Sequence, residues 1–170
     1  MSGHEPCPNP NCGLHDPERA KQFWEAYKKC IAEGLIKVWF GIEDDGSGIS
    51  GESLWAKPIA DGIAVLENSP FFVDANLYDV VSYEEIDGMN TVTAILASTH
   101  ESFAVRYAKD GDDTVKTRYE KLWHLAKDNG MGIEGMIGGI AVISYPLFEL
   151  DAEKAKQLLS KLDFEVEILE

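Results

Sequence analysis

Between Leu35 and Ala97 the chain breaks into short apolar runs, each stopped by Gly, Asp, Asn or Pro before it reaches helical length. Leu35 to Ile42, Ser53 to Pro58, Gly62 to Glu67, Phe71 to Val73, Asp79 to Glu84 and Asn90 to Ala97 read as strands bounded by turn formers. Asp44-Asp45-Gly46-Ser47-Gly48 is a turn-rich break, and Asp61-Gly62 and Asp87-Gly88 are hairpin turns. Strands this short and closely spaced curl into a barrel more readily than they lie open. Residues 35–98 are therefore expected to form a small SH3-like β-barrel.

After residue 99 the pattern alternates between strand and helix. Ser102 to Ala108 reads as a strand, Asp113 to Asn129 as a helix stopped by Gly130, and Ile140 to Tyr145 as a strand ended by Pro146. Asp151 to Leu162 reads as a helix with Leu158, Leu159 and Leu162 on one face, and Phe164 to Leu169 as a last strand. The glycine-rich piece Met131 to Gly139 is open to two readings, a short strand or an ordered loop. As a strand it completes the order β-α-β-β-α-β, a ferredoxin-like sandwich over residues 99–170.

Ahead of the barrel, residues 1–34 form an extension. Asp16-Pro17-Glu18 has the grammar of a helix start, with a capping acceptor, a proline at the first helical position and an acid at the positive end of the dipole. Ala20, Phe23, Trp24, Tyr27 and Ile31 recur at helical spacing, and Gly34 supplies the stop. The fold class expected for the whole chain is α+β: an N-terminal helix, the barrel, then the sandwich.

A chain of 170 residues buries enough surface to fold without disulfides or metal. Thirty acidic residues against fifteen basic ones give a formal charge of −15, which opposes binding to a phosphate backbone and favours a protein partner with a basic surface. Neither a signal peptide nor a membrane-spanning run is present, and three cysteines suit a reducing compartment, so a cytoplasmic protein is expected. Either a monomer or a homodimer is compatible with these features.

His4, Cys7, Cys12 and His15 spell H-x2-C-x4-C-x2-H, a soft sulfur and imidazole set suited to tetrahedral zinc. A structural zinc knuckle, a loosely packed tail and a Cys7–Cys12 disulfide are all open here. A catalytic zinc is disfavoured, because four protein ligands leave no position for water. No cofactor is otherwise required. The chain has no Gly-x-Ser-x-Gly elbow, no phosphate loop, no dinucleotide fingerprint and no HExxH.

Gly51-Glu52-Ser53-Leu54-Trp55-Ala56-Lys57-Pro58, then Asn68-Ser69-Pro70-Phe71-Phe72 and Asp79-Val80-Val81, carry a resemblance. From about Val38 to the C-terminus the chain resembles an uncharacterised bacterial and phage family known only as domain of unknown function 4265. In that family the join between the halves resembles Gly-His-Ser-Thr followed by an apolar residue, Arg and Val. His100, Ser102 and Val105 match that join, while Thr99, Glu101 and Ala104 depart from it. The missing arginine weighs against an anion-binding role for the motif.

Trp55, Phe71 and Phe72 are expected to bury as barrel core, with Pro58 and Pro70 restricting the adjacent turns. The ligand-pocket candidates are Glu52, Ser53 and Trp55 together with His100 and Ser102. His100, flanked by hydroxyls and a carboxylate, reads either as a general base or as a structural histidine. No catalytic residue is assigned. The favoured function is a non-catalytic, acidic binding protein of inhibitor, immunity or anti-defence type that occupies a protein partner. The alternatives are a small-molecule binder with a cleft between subdomains, and a hydrolase or transferase using His100.

Overall fold

A computed structural model describes residues 18, 21–22, 34–43, 46–136 and 138–169. The chain divides into two compact units, one ending at Thr99 and one beginning at His100. The architecture is α+β, with two sheets and two described helices. Apart from Glu18, Lys21 and Gln22, which are helical, the expected N-terminal helix lies outside the described residues.

In the first unit, β1 (Ile36–Gly41), β2 (Gly51–Ala60), β3 (Ile63–Leu66), β4 (Val80–Ile86) and β5 (Met89–Ala97) form a closed barrel in that order. Alternation along the strands decides what is inside. Val38 and Phe40 of β1, Leu54 and Ala56 of β2, Ala64 and Leu66 of β3 and Val81 of β4 make the interior. Gly51 is required where β2 meets β1, because a β-carbon there would run into the Trp39 ring and the Phe40 carbonyl. At the β4–β5 turn Asp87 and Gly88 both take positive φ, 52° and 78°, the geometry of a tight primed hairpin.

Two expectations are corrected here. Phe71 to Val73 is not a strand but a run of bends in the β3–β4 loop. Pro70 cannot donate to a ladder, and the next two amides are committed to a side chain described below. Trp55 and Phe72 are not barrel core, being 46% and 48% exposed, and Phe71 is only half-buried. Leu54 and Ala56 point inward, so the pleat turns Trp55 out.

In the second unit, β6 (His100–Arg106), β7 (Gly132–Met136), β8 (Ile140–Pro146) and β9 (Glu167–Leu169) form a sheet in the order β7-β8-β6-β9, with antiparallel neighbours throughout. The glycine-rich piece is thus a strand through Met136 and a turn at Gly138 and Gly139. Gly135 leaves room for the Tyr119 ring, which a β-carbon would strike.

Helix α1 (Val115–Asp128) connects β6 to β7 and α2 (Ala152–Leu158) follows β8. Asp112, not Asp113, organises the start of α1 by accepting the Thr114 N–H and hydroxyl, each at 2.8 Å. Asp151 caps α2 by accepting the Lys154 N–H at 2.8 Å. The expected helix to Leu162 instead tightens into a 3-10 turn over Leu159–Lys161. Leu122 and Ala126 of α1, Ala155 of α2 and Leu159 pack on Val105 of β6 and on Ala141, Ile143 and Tyr145 of β8. Both helices therefore cover one sheet face.

Candidate functional site

Glu52 lies at the start of β2, two residues before inward-facing Leu54, and its side chain reaches the long loop between β3 and β4. Its Oε1 accepts the Phe71 N–H at 3.0 Å, and its Oε2 accepts the N–H groups of Phe71 at 3.2 Å and Phe72 at 3.0 Å. A carboxylate gathering two consecutive amides is a strong anchor, because charge-assisted bonds exceed neutral ones. Ser53 is exposed, opposite Trp39. Trp55 stands opposite Lys37, whose ammonium lies 5.0 Å from the ring centroid, so its outer face carries a cation–π stack. Its backbone is tied to the same loop, the N–H donating to Asn68 Oδ1 at 2.7 Å and the carbonyl accepting the Glu67 N–H at 2.8 Å.

The other end of that loop is held by Asp79, a carboxylate with no exposed surface. Its Oδ2 accepts the Asn76 N–H at 2.8 Å, while Oδ1 has no hydrogen-bond partner among the described residues. Burial dominates and pushes its pKa up to about 7, against the opposing bonds from the Ser98 hydroxyl and the Asn76 amide; Asp74 adds repulsion. Tyr78 just before it takes φ 65°, a conformation that costs a non-glycine residue about 1–3 kcal/mol. The β3–β4 loop is thus stapled at both ends by carboxylates.

His100 opens β6 opposite Pro146 and is 2% exposed, with Phe148 edge-on at 6.3 Å between ring centroids. Burial lowers its pKa to about 4. Such a ring is neutral at pH 7 and a weak base, poorly matched to general-base work. Ser102 lies on the same strand face, opposite buried Ser144. Glu101 points the other way and accepts the Tyr145 hydroxyl at 2.7 Å; burial, then that carboxylate, raise the tyrosine's pKa.

The pocket candidates therefore divide. Glu52 and Trp55 belong to one loop-organising group in the barrel unit, Ser53 is a separate exposed side chain, and His100 and Ser102 belong to the second unit. His4, Cys7, Cys12 and His15 lie outside the described residues. Among the described residues no group of three or more His, Cys, Asp or Glu side chains is arranged to hold a metal. Asp79 reads in the sequence only as a strand start. The signal that marks it is a carboxylate placed directly before Val80-Val81, where an apolar strand would not ordinarily begin on a charge.

No family model matches the chain, and no curated protein matches it. Among solved structures, a hypothetical protein from Neisseria gonorrhoeae is similar, with a TM-score of 0.56 and 14% identity over 82% of this chain and 96% of that one. At that identity the likeness concerns the α+β fold alone. No helix among the described residues is long and apolar enough to cross a membrane.

Proposed function

We propose that this chain is a non-catalytic binding protein of the inhibitor, immunity or anti-defence type, working by occupying a basic protein partner. The observation that carries the reading is the surface of the barrel unit. Residues 35–98 contain eleven Asp and Glu against two Lys. Asp61, Asp74, Glu84, Glu85 and Asp87 are exposed there, together with Trp55, Phe72, Ile95 and Leu96. Exposed acid on the same unit as exposed large apolar groups, with Asp74 beside Phe72 and Ile95, suits a partner carrying Lys and Arg, since charge speeds encounter and aromatic anchors supply affinity. His100 favours the same reading by being a buried, weak base, which weakens the hydrolase alternative.

Membership of the domain of unknown function 4265 family belongs to this proposal. So do the finer fold assignments: five short barrel strands support an SH3-like barrel, and the order β7-β8-β6-β9 with a helix after β6 and another after β8 supports a ferredoxin-like layout. The test is affinity capture by the full chain from its native host at low ionic strength. A protein partner released by raised salt is expected; a small molecule co-purifying with no protein partner overturns the reading.

A further inference from the structure

We propose that the groove where β1 and β5 part is the docking site for an extended, lysine- or arginine-bearing segment of the protein partner, with Phe72 as its apolar anchor. The inference rests on the function proposed above and names the surface that carries it.

Among the described residues β1 and β5 are joined through one parallel pair, Trp39 with Thr91. Past it a groove opens between Phe40 and Ile42 on one side and Val92 and Ile95 on the other, with Phe72 and Asp74 contributed by the β3–β4 loop. A strand in a packed barrel hides alternate residues, yet Thr93, Ala94, Ile95 and Leu96 are all exposed. Two irregularities in the β4–β5 register accompany this stretch, and such bulges bend a strand and re-aim its side chains. The groove thus carries, beside the interior residues Phe40 and Val92, two exposed apolar groups that the barrel interior does not use, Phe72 and Ile95.

Phe72 is both exposed and held in place. Glu52 fixes the amides of Phe71 and Phe72, so the backbone that presents the ring is ordered before anything binds. An anchor pre-set in this way loses less conformational entropy on association than a mobile one. Aromatic side chains of this kind carry much of the binding energy of protein interfaces when covered. This gives the Glu52 and Phe72 portions of the family-like stretch a common purpose that core packing does not supply.

Charge selects the occupant. Asp74 stands on the groove wall, and exposed Glu43 follows Ile42 in a unit where acids greatly outnumber bases. A segment alternating apolar with Lys or Arg side chains satisfies both the groove and its rim, whereas a nucleic acid is repelled by it.

The test uses the full chain and a fluorescein-labelled peptide of alternating Lys and Val, with a Glu/Val peptide as control, read by anisotropy at low and moderate salt. Binding of the Lys/Val peptide is expected to weaken roughly tenfold in Phe72→Ser and in Ile95→Ser, and a few-fold in Asp74→Asn. The paired Glu120→Gln/Asp128→Asn change, at two exposed acids of the second unit, is expected to alter it less than about twofold. Because Phe72 and Ile95 are surface groups, thermal melts should show both variants folded. A photo-crosslinking benzoylphenylalanine at position 72 should capture the peptide.

Equal weakening by the groove variants and by the Glu120→Gln/Asp128→Asn pair would mean diffuse attraction to an anion and overturn the site. Crosslinking to this chain's own residues 20–31, or to a second copy, would overturn the assigned occupant. If the host partner is captured undiminished by Phe72→Ser, the groove is wrong while the binding function stands. Should the peptide dock as expected but the host yield no partner, the functional reading fails and the groove remains a peptide site.

Discussion

In the barrel unit burial closes over a carboxylate, Asp79, and raises its pKa to about 7; in the second unit it closes over an imidazole, His100, and lowers its pKa to about 4. One cause pushes both groups towards their neutral forms, yet it links stability to pH with opposite signs. The folded barrel binds more protons than the unfolded chain between the ordinary Asp value of 3.8 and about 7, so the Asp79 penalty is absent below that window and complete above it. At His100 the unfolded chain binds more protons between about 4 and 6.5, so its penalty is absent above that window and complete below it. Across the shared interval the two contributions oppose each other, so each masks the other in the stability profile.

The units also differ in how they use charge. The second unit pairs Arg106 with Glu167, Lys121 with Asp163 and Lys154 with Asp151, whereas the barrel directs the Glu52 and Asp79 carboxylates onto backbone amides. Exposed pairs contribute little to stability; a part-buried or buried carboxylate that organises a loop has larger consequences in either direction.

The largest effect expected is at Asp79. Asp79→Asn keeps an acceptor for the Asn76 amide and removes the charge, so urea unfolding should lose the Asp79 contribution, which opposes that of His100 between about pH 4 and 6.5 and has an upper bound of roughly 4 kcal/mol over its whole window. With that contribution gone, the His100 loss on acidification below pH 6.5 should become visible. A variant profile that is level there would break the comparison.

The converse change, His100→Gln, should remove up to roughly 3 kcal/mol of acid destabilisation and expose the Asp79 slope, with stability rising as pH falls from 7 towards 4. Failure of the two variants to tilt in opposite directions would show that one group is not titrating as a buried side chain. Within the barrel, Glu52→Ala should cost about 1–3 kcal/mol and speed hydrogen exchange at the Phe71 and Phe72 amides more than at Ile143. Unchanged exchange would separate Glu52 from loop order.

The smallest effect belongs to Trp55. As a surface ring stacked under Lys37, it should cost about 1 kcal/mol or less on Trp55→Ala, against roughly 3–5 kcal/mol for a buried tryptophan. A melting curve tells these apart and tests the inside-outside assignment of β2.

Much of the fold is legible residue by residue. Asp87-Gly88 specifies its hairpin because both positions take positive φ, and the apolar periodicity around Leu122 and Ala126 marks the helix that packs on the second sheet. The site is less legible. Glu52 and His100 stand out as polar residues in suggestive settings, but the 19 residues separating Glu52 from Phe71 carry no local signal of the bond that joins them. Phe71 to Val73 has strand composition and is no strand, because Pro70 and a distant carboxylate divert its backbone from the ladder.

The sequence by itself determines most strand and helix bounds after Leu35 to within a few residues, with Phe71 to Val73 the exception, how strongly the chain is charged, and that basic residues are scarcest between Leu35 and Ser98, so that the net negative charge is concentrated there. These properties are local or additive, written in turn residues, periodicity and composition. Only the tertiary structure decides that Trp55 faces outward, that Phe72 is held exposed by Glu52, and that Asp79 and His100 are removed from water. Each of these depends on which residues meet across long sequence separations, and burial, not residue type, then sets what a carboxylate, an imidazole or a phenyl ring can do.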